Sequence, residues 1–375
     1  MSDQNSDQIT HDTAYNTVDR DDFRAMIEVG RYGERSDAFD GIIAATHDHF
    51  WDPLDKAYID FDQPFDVQSQ MIMPKEQIIE LNSAVADKLD AGQQIGLANE
   101  ILRWNLSSIL HGEQGALSLS ASLCQILKDQ GAQEYASNQA REEARHVTAY
   151  ALYIEKRWGG PLPVGECLGD LLEDLVLTPT VYKKLVGMQM LIEGLAMGAF
   201  ANLHRHTNDP VLKRLTQLVM TDEAFHHKFG KIWADKTIPN LTEPEHETVE
   251  DWAAQCFEIL LFNLSNIRQR HYIYAQFGLE WEWVRDACRE VFGESERRNS
   301  LKTGTNIFRV LVKTLLNAGI ITDRTRHIYG AWVDMKELAG EGDYVVGDAI
   351  AADGIEFLRG INAERKVIGQ KPIAI

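Results

Sequence analysis

The chain carries one pattern twice. A lone glutamate sits inside an apolar helical run, and 30 residues later a glutamate opens a Glu-x-x-His motif. The first copy is Glu113 in LSSILHGEQGALSLSASL, then Glu142, Glu143 and His146; the second is Glu193 in LVGMQMLIEGLAMGAFANL, then Asp222, Glu223 and His226. Residues three apart lie on nearly the same helix face, so Glu143 with His146, and Glu223 with His226, each aim at one point. A carboxylate amid apolar residues is costly unless its charge is compensated. Together the copies supply four carboxylates and two imidazoles, the set with which helical bundles hold two iron or manganese ions. Four carboxylates offset two divalent ions, so such a cluster can be buried near neutrality.

Residues equidistant from the turn of a helical hairpin lie level with each other. The midpoint of Glu193 and Glu223 is Asn208, in a stretch that reads as a helix stop and restart, with Asn208 or Asp209 as N-cap and Pro210 in the first turn. The midpoint of Glu113 and Glu143 is Lys128, close to Gly131, which offers a helix-ending turn. Each lone glutamate is therefore expected across from its own Glu-x-x-His, roughly 22 Å from the turn.

The periodicity predicts an all-α chain, with almost no period-two alternation. Long helices are expected near 94–128, 132–158, 179–206 and 209–235, with a shorter segment at 164–176. Pro74 opens a helix over 75–91, and further helices near 243–277, 281–292, 300–318 and 323–337 pack around the core. Residues 1–24 read as a disordered polar tail. Residues 25–74 read as a strap over the bundle, bearing Phe39, Phe50, Trp51, Tyr58, Phe61 and Phe65. Residues 75–337 form the helical domain around a core at 94–235, and 338–375 an extension of unassigned structure.

A net charge of -20 and a pI near 5.0 argue against nucleic acid and anionic membranes as partners. The four cysteines stand far apart without a CxxC pair, as expected of reduced thiols in a cytoplasmic protein. The sequence has no signal-peptide pattern and no uncharged run near the ~20 residues that span a bilayer. It also lacks GxGxxG, P-loop and cysteine-cluster motifs, so no flavin, nicotinamide or iron–sulfur site is visible.

Over about residues 95–235 these motifs resemble the ferritin-like di-metal carboxylate superfamily. Its members include the ribonucleotide reductase small subunit, multicomponent monooxygenase hydroxylases, acyl-carrier-protein desaturases, and epoxidases acting on benzoyl- and phenylacetyl-coenzyme A. The resemblance implies a four-helix bundle with additional helices. It implies that Glu113, Glu143 and His146 bind one metal, and Glu193, Glu223 and His226 the other, with some carboxylates bridging and the glutamates tuning the metals during catalysis. It further implies that Glu142 and Asp222 orient ligand histidines from behind; plain surface acids are the alternative. Tyr150 stands four residues after His146, where the reductase keeps its radical tyrosine, and a packed core tyrosine is the other reading. The stretch from His146 to Glu193 is shorter than in that family, and the C-terminus lacks its tyrosine-bearing tail. Val219 replaces the third histidine of arylamine N-oxygenases, and Ala196 and Met197 stand where hydroxylases and desaturases tend to place a threonine.

The implied function is activation of O₂ by two iron ions, or a manganese–iron pair, to hydroxylate, epoxidise or N-oxygenate an organic substrate, apolar or carrier-linked. Electrons would come from a separate reductase or ferredoxin, with a homodimer as the candidate assembly. Alternatives are a fatty-acyl desaturase-type oxidase, a ferroxidase without organic substrate, and a scaffold with a structural metal. Elsewhere, His47, His49, His204 and His206 read as solvated, and His111 and His227 as pointing away from the ligands. Gly112, Gly115, Gly194 and Gly198 mark close helix contact or space beside the metals. Met188, Met190, Met197 and Phe200 read as core. Arg297, Arg298, Lys302, Arg309 and Lys313 read as a solvated helix face, with docking of an acidic partner as the alternative.

Overall fold

A computed structural model describes residues 17–47, 49–291, 307–340 and 347–365, without the side chains of 227, 263–265 and 307. The protein is all-α: among the described residues there is no strand, only an isolated bridge between Thr17 and Leu127. Its centre is built from α1 (Ala91–Ile126), α2 (Gln130–Trp158), α3 (Glu166–Leu177), α4 (Val181–His206) and α5 (Pro210–Thr237). Helix α1 runs along α2 and α4 along α5, two hairpins with short turns. Around them pack α6 (Glu243–Ser265), α7 (Trp281–Val291), α8 (Ile307–Asn317) and α9 (Asp348–Arg365).

Side-chain caps set where the central helices begin. Asp90 forms a capping box with Gln93 at the start of α1, and Asp129 accepts from the Ala132 amide at the start of α2. Of the two cap residues the sequence offers, it is Asp209 that caps α5, with Pro210 in the first turn. Gly131 differs from expectation: α1 stops at an extended Leu127, and Gly131 lies inside the first turn of α2. A Cβ there would stand 2.7 Å from the Ser36 carbonyl, so close approach of the N-terminal segment is what demands glycine.

Helix α4 changes pitch along its length. Val181–Lys184 is α-helical, Leu185–Ile192 is wound as a π-helix, and the α-helix resumes at Glu193. Such segments are rare and frequently accompany functional sites. By length and composition α4 could cross a membrane, but 78% of its apolar window is buried within the protein. It is apolar on all faces because other helices surround it.

Apolar side chains form two clusters, one above and one below a polar layer. Along α1, one cluster ends at Leu110 and the other begins at Ala116; along α2, the change falls between Ala136 and Ala149. On α4 it falls between Leu191 and Met197, and on α5 between Ala224 and Phe229. On α1, α2 and α4 the gap brackets the glutamate or Glu-x-x-His of that helix, and on α5 it brackets His226. Met188, Met190, Met197 and Phe200 are core residues, as expected.

Several outer segments depart from the predicted helices. Residues 75–91 form short 3₁₀ turns before α1 begins. Asn82 Nδ2 donates to the carbonyls of Lys75, Glu76 and Ile78, taking acceptors that a continuous helix would need. The helix predicted over 243–277 stops at Ser265, where Asn266 starts a new turn by accepting from the Arg268 amide. The one predicted over 323–337 is divided in two, with Asp334 capping Met335–Ala339. Residues 17–24 belong to the predicted tail, yet the Val18 amide bonds to the Ile126 carbonyl and Arg20 to Gln125. Residues 1–16, Arg297, Arg298 and Lys302 lie outside the described residues.

The C-terminal segment supplies α9, which lies on α5 with Gly354 against the Thr221 methyl. Asn362 ties it to the strap, donating to the Phe50 carbonyl at 2.8 Å and accepting from the Tyr58 hydroxyl at 2.7 Å.

Asp209 joins the two hairpins. Besides capping Val211, it accepts from Tyr153 at 2.9 Å and from Arg157 Nε at 2.7 Å, and it is fully buried. Asp209→Ala removes a cap and strands a buried guanidinium, so it should cost about 3–5 kcal/mol in denaturant unfolding. A loss below about 1 kcal/mol, the scale of an ordinary cap, would mean that Arg157 is solvated instead.

Candidate metal centre

Four helices deliver the predicted residues to one layer: Glu113 from α1, Glu142, Glu143 and His146 from α2, Glu193 from α4, and Asp222, Glu223 and His226 from α5. None of the eight is more than 6% exposed. The reading of Glu142 and Asp222 as surface acids therefore fails.

Glu143 and Glu223 occupy the middle. Glu143 Oε2 lies 3.3 Å from His146 Nδ1, and its Oε1 lies 3.0 Å from His226 Nδ1. Glu223 does the same, with Oε1 3.2 Å from His146 Nδ1 and Oε2 3.1 Å from His226 Nδ1. Each thus offers one oxygen to each side. Glu113 Oε2 lies 3.2 Å from His146 Nδ1 only, and Glu193 Oε2 lies 3.9 Å from His226 Nδ1 only. The result is two overlapping groups, Glu113/Glu143/His146/Glu223 and Glu143/Glu193/Glu223/His226, whose ligand atoms within each group all lie within 4.8 Å of one another. Donors 3.0–3.3 Å apart match the ~3 Å edge of an octahedron with ~2.1 Å metal–oxygen bonds. The donor set fits two divalent ions.

The acids that precede each Glu-x-x-His cross over to the other helix. Asp222 Oδ2 lies 2.8 Å from His146 Nε2, and Glu142 Oε2 lies 3.0 Å from His226 Nε2. Both histidines are thereby held with Nδ1 toward the carboxylates, the arrangement by which an outer carboxylate fixes a ligand imidazole.

Sequence reasoning missed several neighbours. Arg145 Nε donates to Asp222 at 3.0 Å and its guanidinium lies 3.6 Å from Glu142, so one cation serves both outer acids. Trp51 Nε1 donates to Asp222 at 2.9 Å while its ring stacks near His146. His49, expected to be solvated, is 1% exposed, stacked on Phe225, with Nε2 3.3 Å from Asp222 Oδ1. The strap carries it inward beside Trp51. His49, Glu142 and Asp222 make a third grouping of potential ligands, but Arg145 already supplies its positive charge. Gln139 Nε2 donates to Glu143 at 3.2 Å and Glu193 at 3.1 Å, and Gln189 Nε2 in turn donates to Gln139. Both amides lie four residues before a ligand glutamate, on nearly its helix face, which is the signal that could have found them.

Other expectations resolve singly. His111 bonds to the Leu162 carbonyl, away from the cluster, and the His227 side chain lies outside what is described. Gly115 meets Leu172 closely, whereas a Cβ at Gly112 would meet nothing within 4 Å. Tyr150 is fully buried and stacked on Phe200, and its hydroxyl has no hydrogen-bond partner.

Protons take the place of cations in this layer. Burial pushes Glu113 well up, and burial with the charge of Glu223 does the same to Glu193. Burial opposes charge on the histidines, yet Glu113 facing His146, and Glu223 and Glu143 facing His226, push both well up. Burial would also raise Glu143, but His226 and neighbouring hydrogen bonds hold it at about 2. Arg145 and His146 overcome burial to hold Asp222 well below the usual range. These shifts favour protonated forms within the layer, which offset part of its negative charge.

No protein-family model matches this chain, and no curated protein or solved structure matches it either.

Ion binding must displace those protons. Divalent-ion titration in weak buffer should release protons, and affinity should fall steadily as pH is lowered, read with an indicator dye. Binding without proton release would contradict the charge assignment. Asp222→Asn and Glu142→Gln should fold and bind ions with retention weakened by ~10–100-fold. Unchanged retention in both would leave the crossed contacts without a role.

Proposed function

We propose that this chain is an O₂-dependent di-iron oxidoreductase that oxidises an organic substrate by monooxygenation. The observation that carries the reading is the pair of central carboxylates, Glu143 and Glu223, each presenting one oxygen to either histidine. A single-ion site has no use for two carboxylates turned this way. When bound, two ferrous ions supply electrons to O₂ and the oxidising power that attacks a C–H, C=C or N–H group; a manganese–iron pair would serve similarly.

The protein's part follows from its residues. Glu143 and Glu223 would each hold both ions, and Glu113 and Glu193 would each hold one. Asp222 and Glu142 keep each imidazole turned inward. Carboxylate-rich, hard ligands favour the ferric state and so make the ferrous form a ready reductant. Apolar clusters on both sides of the layer keep bulk water from the reaction. The resemblance to ferritin-like di-metal oxygenases supports the same reading, and with it a separate reductase or ferredoxin as electron source.

Anaerobic loading with ferrous ion should give close to two ions per chain, and Glu143→Ala or Glu223→Ala, which each remove a ligand from both positions, well below two by metal analysis. One ion or none in the parent protein would end the di-metal reading. Exposed to O₂, the loaded protein should show a transient visible band and complete one turnover before stalling until a reductase is added. Inertness in air would remove the oxygenase assignment, and repeated turnover with NADH alone would remove the separate reductase.

A further inference from the structure

The two copies of the motif are superimposable in sequence, so their differences can be read position by position. Four residues before Glu143 stands Gln139, and four before Glu223 stands Val219. Four before Glu193 stands Gln189, and four before Glu113 stands Ile109. Each copy therefore carries one amide and one aliphatic residue at these positions, and the fold brings the two amides together.

The amides are engaged. Gln139, fully buried, places Nε2 3.1 Å from Glu193 Oε1 and 3.2 Å from Glu143 Oε1. Glu143 Oε1 is the oxygen turned to His226, and Glu193 Oε1 is the one turned away from it, since Oε2 lies nearer the ring. Gln139 thus bonds the outer carboxylate of the Glu193/His226 half and, on the shared Glu143, the oxygen that faces His226. Its own orientation is fixed by Gln189, whose Nε2 donates to Gln139 Oε1 at 3.0 Å. Gln189 is held in turn by the π-helical segment and by Gly230, where a Cβ would stand 3.0 Å from the Gln189 Cβ.

The other half has no such amide: its support lies on the imidazole side, where Asp222, bonded by Arg145 and Trp51, holds His146, and not on its outer carboxylate. Ile109 and Val219 belong to the apolar cluster that includes Tyr150 and Phe200. Among the described residues Glu113 has a single hydrogen-bond partner, His146, and α1 has no π segment. A carboxylate whose outer oxygen is bonded is held in one pose, whereas one without that bond is free to swing between coordination modes.

We propose that the two half-sites are inequivalent, with Gln139 acting as a positioning residue that makes the Glu193/His226 half bind the first divalent ion and leaves the Glu113/His146 half weaker and more adaptable. This rests on the di-metal reading but goes beyond it. The second half, with its free carboxylate and apolar flank, is the one suited to exchange a ligand for an incoming reactant.

The test is anaerobic titration of the metal-free protein with Co²⁺, followed by its visible bands and by calorimetry. Wild type should show two steps separated by ~10-fold or more, the scale of an outer-residue effect. Glu113→Gln should remove the weak step and keep the tight one, and Glu193→Gln should do the reverse. Gln139→Leu should bring the tight step down to the weak one without moving the latter, and Gln189→Met should act in the same direction. Circular dichroism checks that each variant folds. Should Gln139→Leu not fold, the wild-type steps and the two glutamate variants still decide. Equal affinities in wild type, or loss of the tight step in Glu113→Gln, would overturn the inequivalence while leaving two ions in place. Absence of any bound ion would remove the di-metal reading and this proposal with it.

Discussion

Six carboxyl groups buried within a few ångströms of one another are the constraint around which this bundle is arranged. Glu113, Glu142, Glu143, Glu193, Asp222 and Glu223 are each at most 6% exposed, and among the described residues Arg145 is the guanidinium bonded among them. Their mutual repulsion and lost hydration demand further positive charge, as protons on the histidines and outer glutamates or as two divalent ions. The layer could therefore hold cations, and it lies between apolar packing above and below it. Stability of the bundle and affinity for ions are linked quantities here, because whatever fills the layer also relieves its repulsion.

Pseudo-symmetry organises the layer, and it is breached at particular positions. The two central glutamates and the crossed acid–histidine pairs obey the repeat closely. Arg145 and Phe225 occupy equivalent positions in the two Glu-x-x-His motifs, yet one joins the outer acids and the other stacks on His49. The π segment occurs before Glu193 and not before Glu113. A duplicated scaffold supplies matched ligands, and unmatched neighbours then give each half its own character.

The segments outside the four central helices close the layer from two directions. The strap brings His49 and Trp51 against Asp222, and α9 lies along α5 and is pinned to the strap by Asn362. An aromatic belt of this kind does more than cover surface, since Trp51 donates a hydrogen bond into the network that orients His146.

Local sequence determined the helical class, the four central helices to within a few residues, the Asp209 cap, and the identity of the clustered acids and histidines. Helical periodicity and the equal spacing of two motifs about two turns are enough for that, because level positions in a hairpin follow from rise per residue alone. Where Asn82, Asn266 and Asp334 interrupt the outer helices, a side chain competed with the backbone for hydrogen bonds, and propensity over a window does not register such a competition. Which acid serves which histidine, the central position of Glu143 and Glu223 between the two imidazoles, and the placement of His49, Trp51, Gln139 and α9 were decided only by tertiary structure. Those features depend on rotation of one helix against another and on chain segments more than a hundred residues apart, and no spacing along a single helix encodes either.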